Sequence, residues 1–174
     1  MTRKRLWAPW REAYFAVTRN PPLKGCLFCR LKRSKPDKEN QILTKGPLGF
    51  SLLNRYPYNN GHLMVVPNRH VERLDQLSPE EWVELLRLGT DAVARLEKVM
   101  HPHGYNLGIN IGRAAGAGIP GHLHLHIVPR WIGDTNFMPT IANTKVISQS
   151  LASSHRLLKA VRPRRRVHAR ARPH

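Results

Sequence analysis

The sequence is poor in acidic residues and cysteine, and it has no long apolar run. Only 11 of its 174 residues are Asp or Glu, against 29 Lys and Arg, which gives a formal net charge of +18. No apolar stretch approaches the roughly 20 residues that a membrane-spanning helix needs, so a membrane protein is not expected. With only two cysteines, a disulfide-dense secreted scaffold is excluded as well. These absences favour one ordinary globular domain.

The N-terminal segment MTRKRLWAPWREAYF is basic, yet it lacks the apolar stretch and small-residue cleavage site of a secretory signal. A cytoplasmic location is therefore expected. Residues 1–24 mix aromatic side chains with Pro and basic residues. This mixture predicts an arm that packs on another surface, such as a second subunit.

Positive charge concentrates at the other end of the chain. From His155 onward there are eight Lys or Arg and no acid. Such charge favours polyanionic ligands, either nucleic acid or a phosphorylated small molecule. Because the last residues mix Pro with Arg and have little to bury, we predict a basic, disordered tail over 161–174 with at most weak nucleic-acid binding.

Short apolar runs between turn residues predict strands. Apolar residues at helical spacing after a capping residue predict a helix. The strands are expected over 50–54, 63–66, 105–111 and 122–128. The turn sequence YPYNNG joins the first two strands as an antiparallel hairpin. Ser78 can cap a long helix with Pro79 at its first position and Glu81 in a capping box. The helix is expected to bury Trp82, Leu85, Leu86, Val93 and Leu96.

The order of these elements predicts an α+β fold with an antiparallel sheet, one long helix and a C-terminal helix within 145–161. The domain is expected to occupy residues 25–160.

Three histidines alternate with apolar residues in the stretch GHLHLHIVPRW, namely His122, His124 and His126. Alternate residues of a strand share one face, so the histidines are predicted to face a polar pocket while Leu123, Leu125 and Ile127 face the core. Burying three unpaired imidazoles would cost about 1–3 kcal/mol each, which argues against unrelated core histidines. The remaining interpretation is that one imidazole attacks an electrophile while its neighbours set its tautomer. The loop GRAAGAGIPG before them offers backbone N–H groups to an anion.

These residues and further motifs resemble the histidine-triad (HIT) family. HLHLHIV fits the pattern His-x-His-x-His followed by apolar residues. SLLNRYPYNNGHLMVVPNRHVERLDQL is similar to the first hairpin of the family, and GINIGRAAGAG to its nucleotide loop. LWAPWR, GCLFC and VPRWIGDTNFMP are most similar to the bacterial branch that includes diadenosine-tetraphosphate phosphorylases. The resemblance covers roughly residues 5–160 and implies a HIT-like fold.

The resemblance implies catalytic roles for the triad. His124 would attack the α-phosphorus of a nucleotide and form a nucleotidyl-histidine, while His126 would contact the phosphate and the leaving oxygen. Inorganic phosphate or water would then release the nucleotidyl group from His124. The substrate would be a dinucleoside polyphosphate such as diadenosine tetraphosphate.

The resemblance also implies a nucleotide-binding set. Asn54 matches the ribose-binding position, Asn110 a contact on the nucleotide or phosphate side, and His62 a residue that holds the triad. The loop around Gly116 and Gly118 would give N–H groups to the non-bridging oxygens, where negative charge develops.

One segment departs from the family pattern. Many relatives carry Gly-Gln-Ser/Thr-Val before the triad, whereas this chain has Gly118-Ile119-Pro120-Gly121. The hydroxyl that reaches the phosphate in those relatives has no obvious counterpart, which is compatible with inorganic phosphate as the acceptor. Hydrolysis of a dinucleoside polyphosphate or a nucleoside phosphoramidate, and zinc-stabilised nucleic-acid binding, stay open as alternatives.

The two cysteines form a Cys-x-x-Cys pair, which alone fits a metal site, a reduced core pair or, less well, a redox dithiol. Zinc-bearing HIT relatives complete a Cys2His2 site at the corresponding positions. The resemblance therefore implies a structural zinc at Cys26, Cys29, His70 and His122, with no organic cofactor. It also implies a homodimer, because HIT relatives commonly form one.

Two further predictions concern single residues. The histidines outside these motifs are expected to be solvated: His101, His103, His155, His168 and His174. Arg130 and Trp131 have two interpretations, as residues that line the phosphate entrance or as a surface arginine beside a packed tryptophan.

Overall fold

The computed structural model describes residues 25–35, 39–134, 147 and 149–161. Within them lie three α-helices and a five-stranded antiparallel sheet, so the predicted α+β class is confirmed. The helices are α1 (Leu27–Arg33), α2 (Pro79–Met100) and α3 (Leu151–Ala160); the strands are β1 (Ile42–Lys45), β2 (Gly49–Leu53), β3 (Leu63–Pro67), β4 (Gly104–Ile109) and β5 (Leu125–Arg130). The predicted arm over 1–24 and the tail beyond Val161 lie outside the described residues.

The sheet has the strand order β1-β2-β3-β5-β4. The predicted hairpin is confirmed, because β2 and β3 pair in register from Gly49 opposite Pro67 to Leu53 opposite Leu63. Strand β5 lies between β3 and β4 and pairs antiparallel with both. Strand β5, which carries His126, is therefore paired on both edges, while β4 forms an edge of the sheet among the described residues.

Helix α2 begins as its sequence predicts. The Ser78 hydroxyl accepts the Glu81 N–H, and the Glu81 carboxylate accepts the Ser78 N–H. The helix packs on β2, β3 and β5, burying a stripe over the core. The prediction that Leu86 is buried is wrong: its side chain is 59% exposed. Because it lies about 100° around the helix from the buried Leu85, it leaves the stripe that meets the sheet.

Strands β2 and β3 are buried at every position, since a second apolar cluster covers their other face. Helix α1 contributes Phe28 to that cluster, and β1 contributes Ile42. The sequence predicted neither α1 nor β1. Both are short, and Cys26 at the start of α1 makes no side-chain capping bond, so neither carries a strong local signal.

The bounds of the last two predicted strands need correction. Strand β5 begins at Leu125, not at His122, because the preceding chain leaves β3. There the Leu123 N–H donates to the Val71 carbonyl at 2.7 Å. Strand β4 ends at Ile109. The predicted core face is nevertheless present, since Leu123 and Ile127 lie in the cluster under α2 and Leu125 packs against it.

Helix α3 docks on β1 and α2. The prediction that His155 is solvated is wrong: the residue is buried on this helix, with Nε2 3.4 Å from the Ile42 carbonyl oxygen. The amphipathic helix packs His155 and Leu158 against the domain, and Arg95 of α2 donates to the Leu158 carbonyl. Among the described residues, no helix combines the length and apolarity needed to cross a membrane.

Candidate active site

Four ligand-type side chains converge where α1 meets the chain before β5: Cys26, Cys29, His70 and His122. Their ligand atoms all lie within 4.8 Å of one another. The Nδ1 atom of His122 is 3.2 Å from Cys26 Sγ, 3.8 Å from Cys29 Sγ and 3.3 Å from His70 Nδ1. Zinc–sulfur bonds of about 2.3 Å and zinc–nitrogen bonds of about 2.0 Å give tetrahedron edges of about 3.3–3.8 Å. The predicted four residues therefore form a cluster that can hold a metal ion.

The tautomer of His122 directs a nitrogen lone pair toward the other three residues of that cluster. Its Nε2 donates to the Pro67 carbonyl at 3.0 Å, so Nδ1 carries the lone pair that faces the two cysteines and His70. Burial lowers the pKa of His122, which keeps the ring neutral. Burial and the adjacent Cys26 sulfur raise the pKa of Cys29, so metal binding would release a proton from this thiol.

His124 has its proton on the other nitrogen. Its Nδ1 donates to the His122 carbonyl at 2.9 Å, which leaves Nε2 with the lone pair. The side chain is buried, with its ring centroid 5.2 Å from Phe28 and 4.7 Å from His126. Burial lowers its pKa, so the ring is neutral and nucleophilic near pH 7.

A relay of hydrogen bonds determines which nitrogen of His126, the third histidine of the triad, carries the proton. The Tyr58 backbone N–H donates to His62 Nδ1 at 3.0 Å, and the Asn54 amide nitrogen lies 3.3 Å from the same atom. His62 must therefore carry its proton on Nε2, which lies 2.9 Å from His126 Nδ1 and donates to it. His126 consequently carries its proton on Nε2. Burial lowers the pKa of His126 to about 4, aided by the repulsion that the protonated form of His124 would exert.

Three of the predicted nucleotide-binding residues, Asn54, His62 and Asn110, belong to this relay or contact it. Asn54 contacts His62, and Asn110 places its amide nitrogen 3.4 Å from His126 Nε2. At Gly116, a backbone φ of +88° favours glycine, and an added Cβ would lie 4.0 Å from the Asn110 amide nitrogen. Gly118 is exposed two residues further along this loop.

The structure also brings in residues that sequence reasoning missed. Phe28 packs beside His122 and His124, and Tyr58 lies beside His62 and His126. No spacing rule links Phe28 or Tyr58 to the triad, because each is distant from it in sequence.

Arg130 lies in a network of polar contacts at the end of β5. It forms a bidentate ion pair with Asp134, which also accepts the Asn59 amide at 2.8 Å. The Trp131 indole donates to the Met100 carbonyl. The Asn59–Asp134 bond joins the segment after β5 to the turn over 54–62, which carries Tyr58 and His62.

The HIT domain family model matches residues 35–131, over half of the chain. This chain belongs to the HIT domain family. The resemblance predicted from its motifs is confirmed, including the branch, since a Mycobacterium tuberculosis protein named AP-4-A phosphorylase is 42% identical over 161 residues. That match covers 89% of this chain and 82% of the relative. Adenosine 5'-monophosphoramidase of Schizosaccharomyces pombe is 31% identical over 61% of this chain and 74% of its own length.

Solved structures show the same fold. A zinc-bound histidine triad family protein from Mycobacterium smegmatis has a TM-score of 0.62 and 27% identity to this HIT protein, over 78% of this chain and 91% of that one. A hypothetical histidine triad nucleotide-binding protein from Sulfolobus tokodaii strain7 has a TM-score of 0.60 and 23% identity, over 77% and 89% of the two chains. The predicted HIT-like fold is confirmed, and the protein is an enzyme of the nucleotidyltransferase or hydrolase type.

Proposed function

We propose that this HIT protein cleaves dinucleoside polyphosphates by phosphorolysis, converting diadenosine tetraphosphate and phosphate into ADP and ATP. The observation that carries the proposal is the opposite tautomers of two adjacent rings. His124 keeps a lone pair on Nε2, whereas His126 keeps a proton on Nε2. One ring is thereby a nucleophile and the other a hydrogen-bond donor. The identity to a protein named AP-4-A phosphorylase supports the choice of substrate.

In the first step, the His124 Nε2 lone pair attacks the α-phosphorus of the substrate. A P–N bond forms while the P–O bond to the next phosphate breaks, and ATP leaves with the bonding electrons on its oxygen. The His126 Nε2–H donates a hydrogen bond to that oxygen. This donation favours the transition state, because negative charge grows on the leaving oxygen.

In the second step, an oxygen of inorganic phosphate attacks the adenylyl group on His124. The new P–O bond completes ADP, and the P–N electron pair returns to Nε2. His124 is thereby restored for the next cycle.

The position of Asn110 supports the binding of an anionic oxygen between its side chain and that of His126. Its amide N–H groups and the His126 Nε2–H are both donors, and their nitrogens lie 3.4 Å apart. Two donors cannot satisfy each other, but both can point at one acceptor. A phosphate oxygen of the substrate would provide that acceptor.

The segment before the triad supports phosphate as the second substrate. Ile119 packs against the apolar cluster that contains Phe28, and the run Gly118-Ile119-Pro120-Gly121 has no side-chain hydroxyl. The chain's formal charge of +18 also favours an anionic acceptor.

Product analysis tests the proposal. Diadenosine tetraphosphate is incubated with the protein, with and without inorganic phosphate. ADP plus ATP that form only with phosphate support phosphorolysis, whereas AMP plus ATP would identify a hydrolase. An adenosine phosphoramidate serves as the alternative substrate, since the S. pombe relative is named a monophosphoramidase. Turnover of the phosphoramidate alone would refute the proposal.

We also propose that the four-residue cluster holds a structural zinc ion. Its donor set of two sulfurs and two imidazole nitrogens is typical of closed zinc sites. Such an ion would fix the conformation around His122, whose carbonyl oxygen accepts the His124 Nδ1–H and so sets its tautomer. The zinc-bound M. smegmatis relative supports the choice of metal.

A homodimer is proposed through β4 and the adjacent side of α2. Among the described residues, β4 pairs on one edge only. Exposed apolar side chains lie on these elements and just beyond β4: Val83, Leu86, Leu107 and Ile111. A second copy would cover them and pair the open edge.

The basic tail and the cellular location complete the proposal. We expect the tail beyond Val161 to bind nucleic acid weakly through its charge. Deleting it should abolish binding that falls steeply with salt. A cytoplasmic location and the domain bounds 25–160 stay predictions.

A further inference from the structure

Tyr58 has an environment that packing alone does not explain. Its side chain is 44% exposed, and it belongs to neither buried apolar cluster. Its ring and hydroxyl contact three residues of the candidate site: His62, His126 and Asn110. A large side chain that gains little burial is instead placed beside the reacting groups.

The ring of Tyr58 covers the bond between the two relay histidines. Its centroid lies 5.6 Å from that of His126, with 27° between the planes, and 4.6 Å from that of His62. Aromatic contacts at these separations favour defined ring orientations. The ring therefore restricts rotation of His126 and limits water access to its outer face.

The hydroxyl of Tyr58 contacts a second segment of the site, the chain just after β4. It accepts a hydrogen bond from the Asn110 amide at 3.2 Å, while the same nitrogen lies 3.4 Å from His126 Nε2. Tyr58 is carried by the turn over 54–62, whereas Asn110 follows β4. One side chain thus joins the two segments that flank His126.

We propose that Tyr58 is a positioning residue for the transfer step, its ring orienting His126 and its hydroxyl orienting Asn110 toward the phosphate. The inference rests on the proposed function. Tyr58 acts before and during cleavage by keeping the His126 Nε2–H and the Asn110 amide aimed at one acceptor.

The test compares Tyr58→Phe, which keeps the ring, with Tyr58→Leu, which removes it. Misplacing an aligned group commonly costs up to about 100-fold in rate, so we expect kcat to fall about 10-fold in Tyr58→Phe and about 100-fold in Tyr58→Leu. KM for diadenosine tetraphosphate should change less than about 3-fold, because ground-state binding is not the affected step. Unchanged kcat in Tyr58→Leu, or a loss confined to KM, would overturn the proposal.

A double-mutant cycle isolates the hydroxyl. Tyr58→Phe should cost about 10-fold in the wild-type background but less than about 2-fold when Asn110 is already Ala. Independent, multiplying losses would show that the hydroxyl does not act through Asn110, and would refute that part of the proposal. Thermal melting of all variants identifies any loss of folding.

NMR of His126 gives a readout that needs no turnover. The ionisable groups that face this ring are His62, His124 and Tyr58. Titration of His126 should stay well below pH 6.5 in Tyr58→Phe and move toward 6.5 in Tyr58→Leu, where water reaches the ring. An unmoved titration in Tyr58→Leu contradicts the role of the ring. If the wild type fails to cleave the polyphosphate, the proposed function fails while this measurement still decides about Tyr58.

Discussion

At the scale of residues, backbone groups decide which nitrogen carries the proton in His122, His124 and His62, and His62 in turn decides it in His126. The Pro67 carbonyl accepts the Nε2–H of His122, and the His122 carbonyl accepts the Nδ1–H of His124. The Tyr58 N–H donates to Nδ1 of His62. The three chemically identical side chains of the triad thereby acquire two different tautomers, with the proton on Nε2 in His122 and His126 and on Nδ1 in His124. Their chemistry follows from the fold around them rather than from the residue type.

The low pKa of His126 predicts a pH-dependent stability. Its pKa is about 4 in the folded protein, against about 6.5 in an unfolded chain. Above pH 6.5 both states are neutral and the group contributes nothing. As pH falls from 6.5 toward 4, the unfolded state binds a proton that the folded state does not, so stability falls. We expect urea unfolding to show wild type losing about 2 kcal/mol more than His126→Gln between pH 7 and pH 5.

A matched comparison guards this prediction. His126→Gln keeps a polar side chain that cannot titrate, so both proteins share every other pH effect, including that of the four-residue cluster of cysteines and histidines. An equal loss of stability in the two proteins between pH 7 and pH 5 would mean that His126 titrates normally and is not shielded from water.

The residues of the site differ in how far sequence could predict them. Cys26 and Cys29, and the triad itself, lie in short spacings, so a pattern and a family resemblance suffice. Tyr58 and Asn110 are 52 positions apart, and only the folded sheet brings them together. Contacts of this kind follow from topology, which the local pattern does not contain.

At the scale of elements, α1 shows how a short helix is placed by its contacts. It has seven residues and no side-chain cap, so it has little stability of its own. Phe28 packs into the second apolar cluster, and Cys29 belongs to the four-residue cluster that can hold a metal ion. The sequence contained the chemistry of this segment but not its helical form, since seven residues hold too little periodicity.

Removal of the proposed zinc ion should therefore loosen α1. We expect a chelator, or Cys29→Ser, to remove one zinc per chain and to lower Tm by about 5–15 °C, because metal binding free energy stabilises the fold. Arg30→Ala changes an exposed residue of the same helix and should retain both zinc and Tm. Zinc content by mass spectrometry and melting curves report the two effects. Purified protein without zinc, melting identically with and without chelator, would be incompatible with a structural ion.

At the scale of the whole molecule, the two edges of the sheet have different neighbours. Helix α3 packs near β1, where Lys159 donates to the Leu43 carbonyl. Within the described ranges nothing pairs with the outer edge of β4, and Leu107 is 53% exposed there. The α+β class was predictable from the order of strands and helix. The insertion of β5 between β3 and β4 was not, because it depends on long-range pairing.

The open edge predicts a dimer that charge can disrupt. Leu86→Lys with Leu107→Lys should convert the proposed dimer into a monomer, because each interface would bury four added charges without partners. Sedimentation equilibrium measures the mass of each protein. Leu74→Lys, at a side chain 40% exposed outside this surface, is the control and should stay dimeric. A monomeric wild type, or a dimeric double variant, would place the interface elsewhere or remove it.

The most direct test of the account is to trap the nucleotidyl group on His124. Labelled diadenosine tetraphosphate is mixed with protein in the absence of phosphate, quenched under alkaline conditions and digested for mass spectrometry. We predict an acid-labile adenylyl group on the peptide that contains His124, absent in His124→Ala and discharged as ADP when phosphate is added before the quench. Turnover without any adduct, or an adduct on a different residue, would contradict the assignment of His124 as the nucleophile.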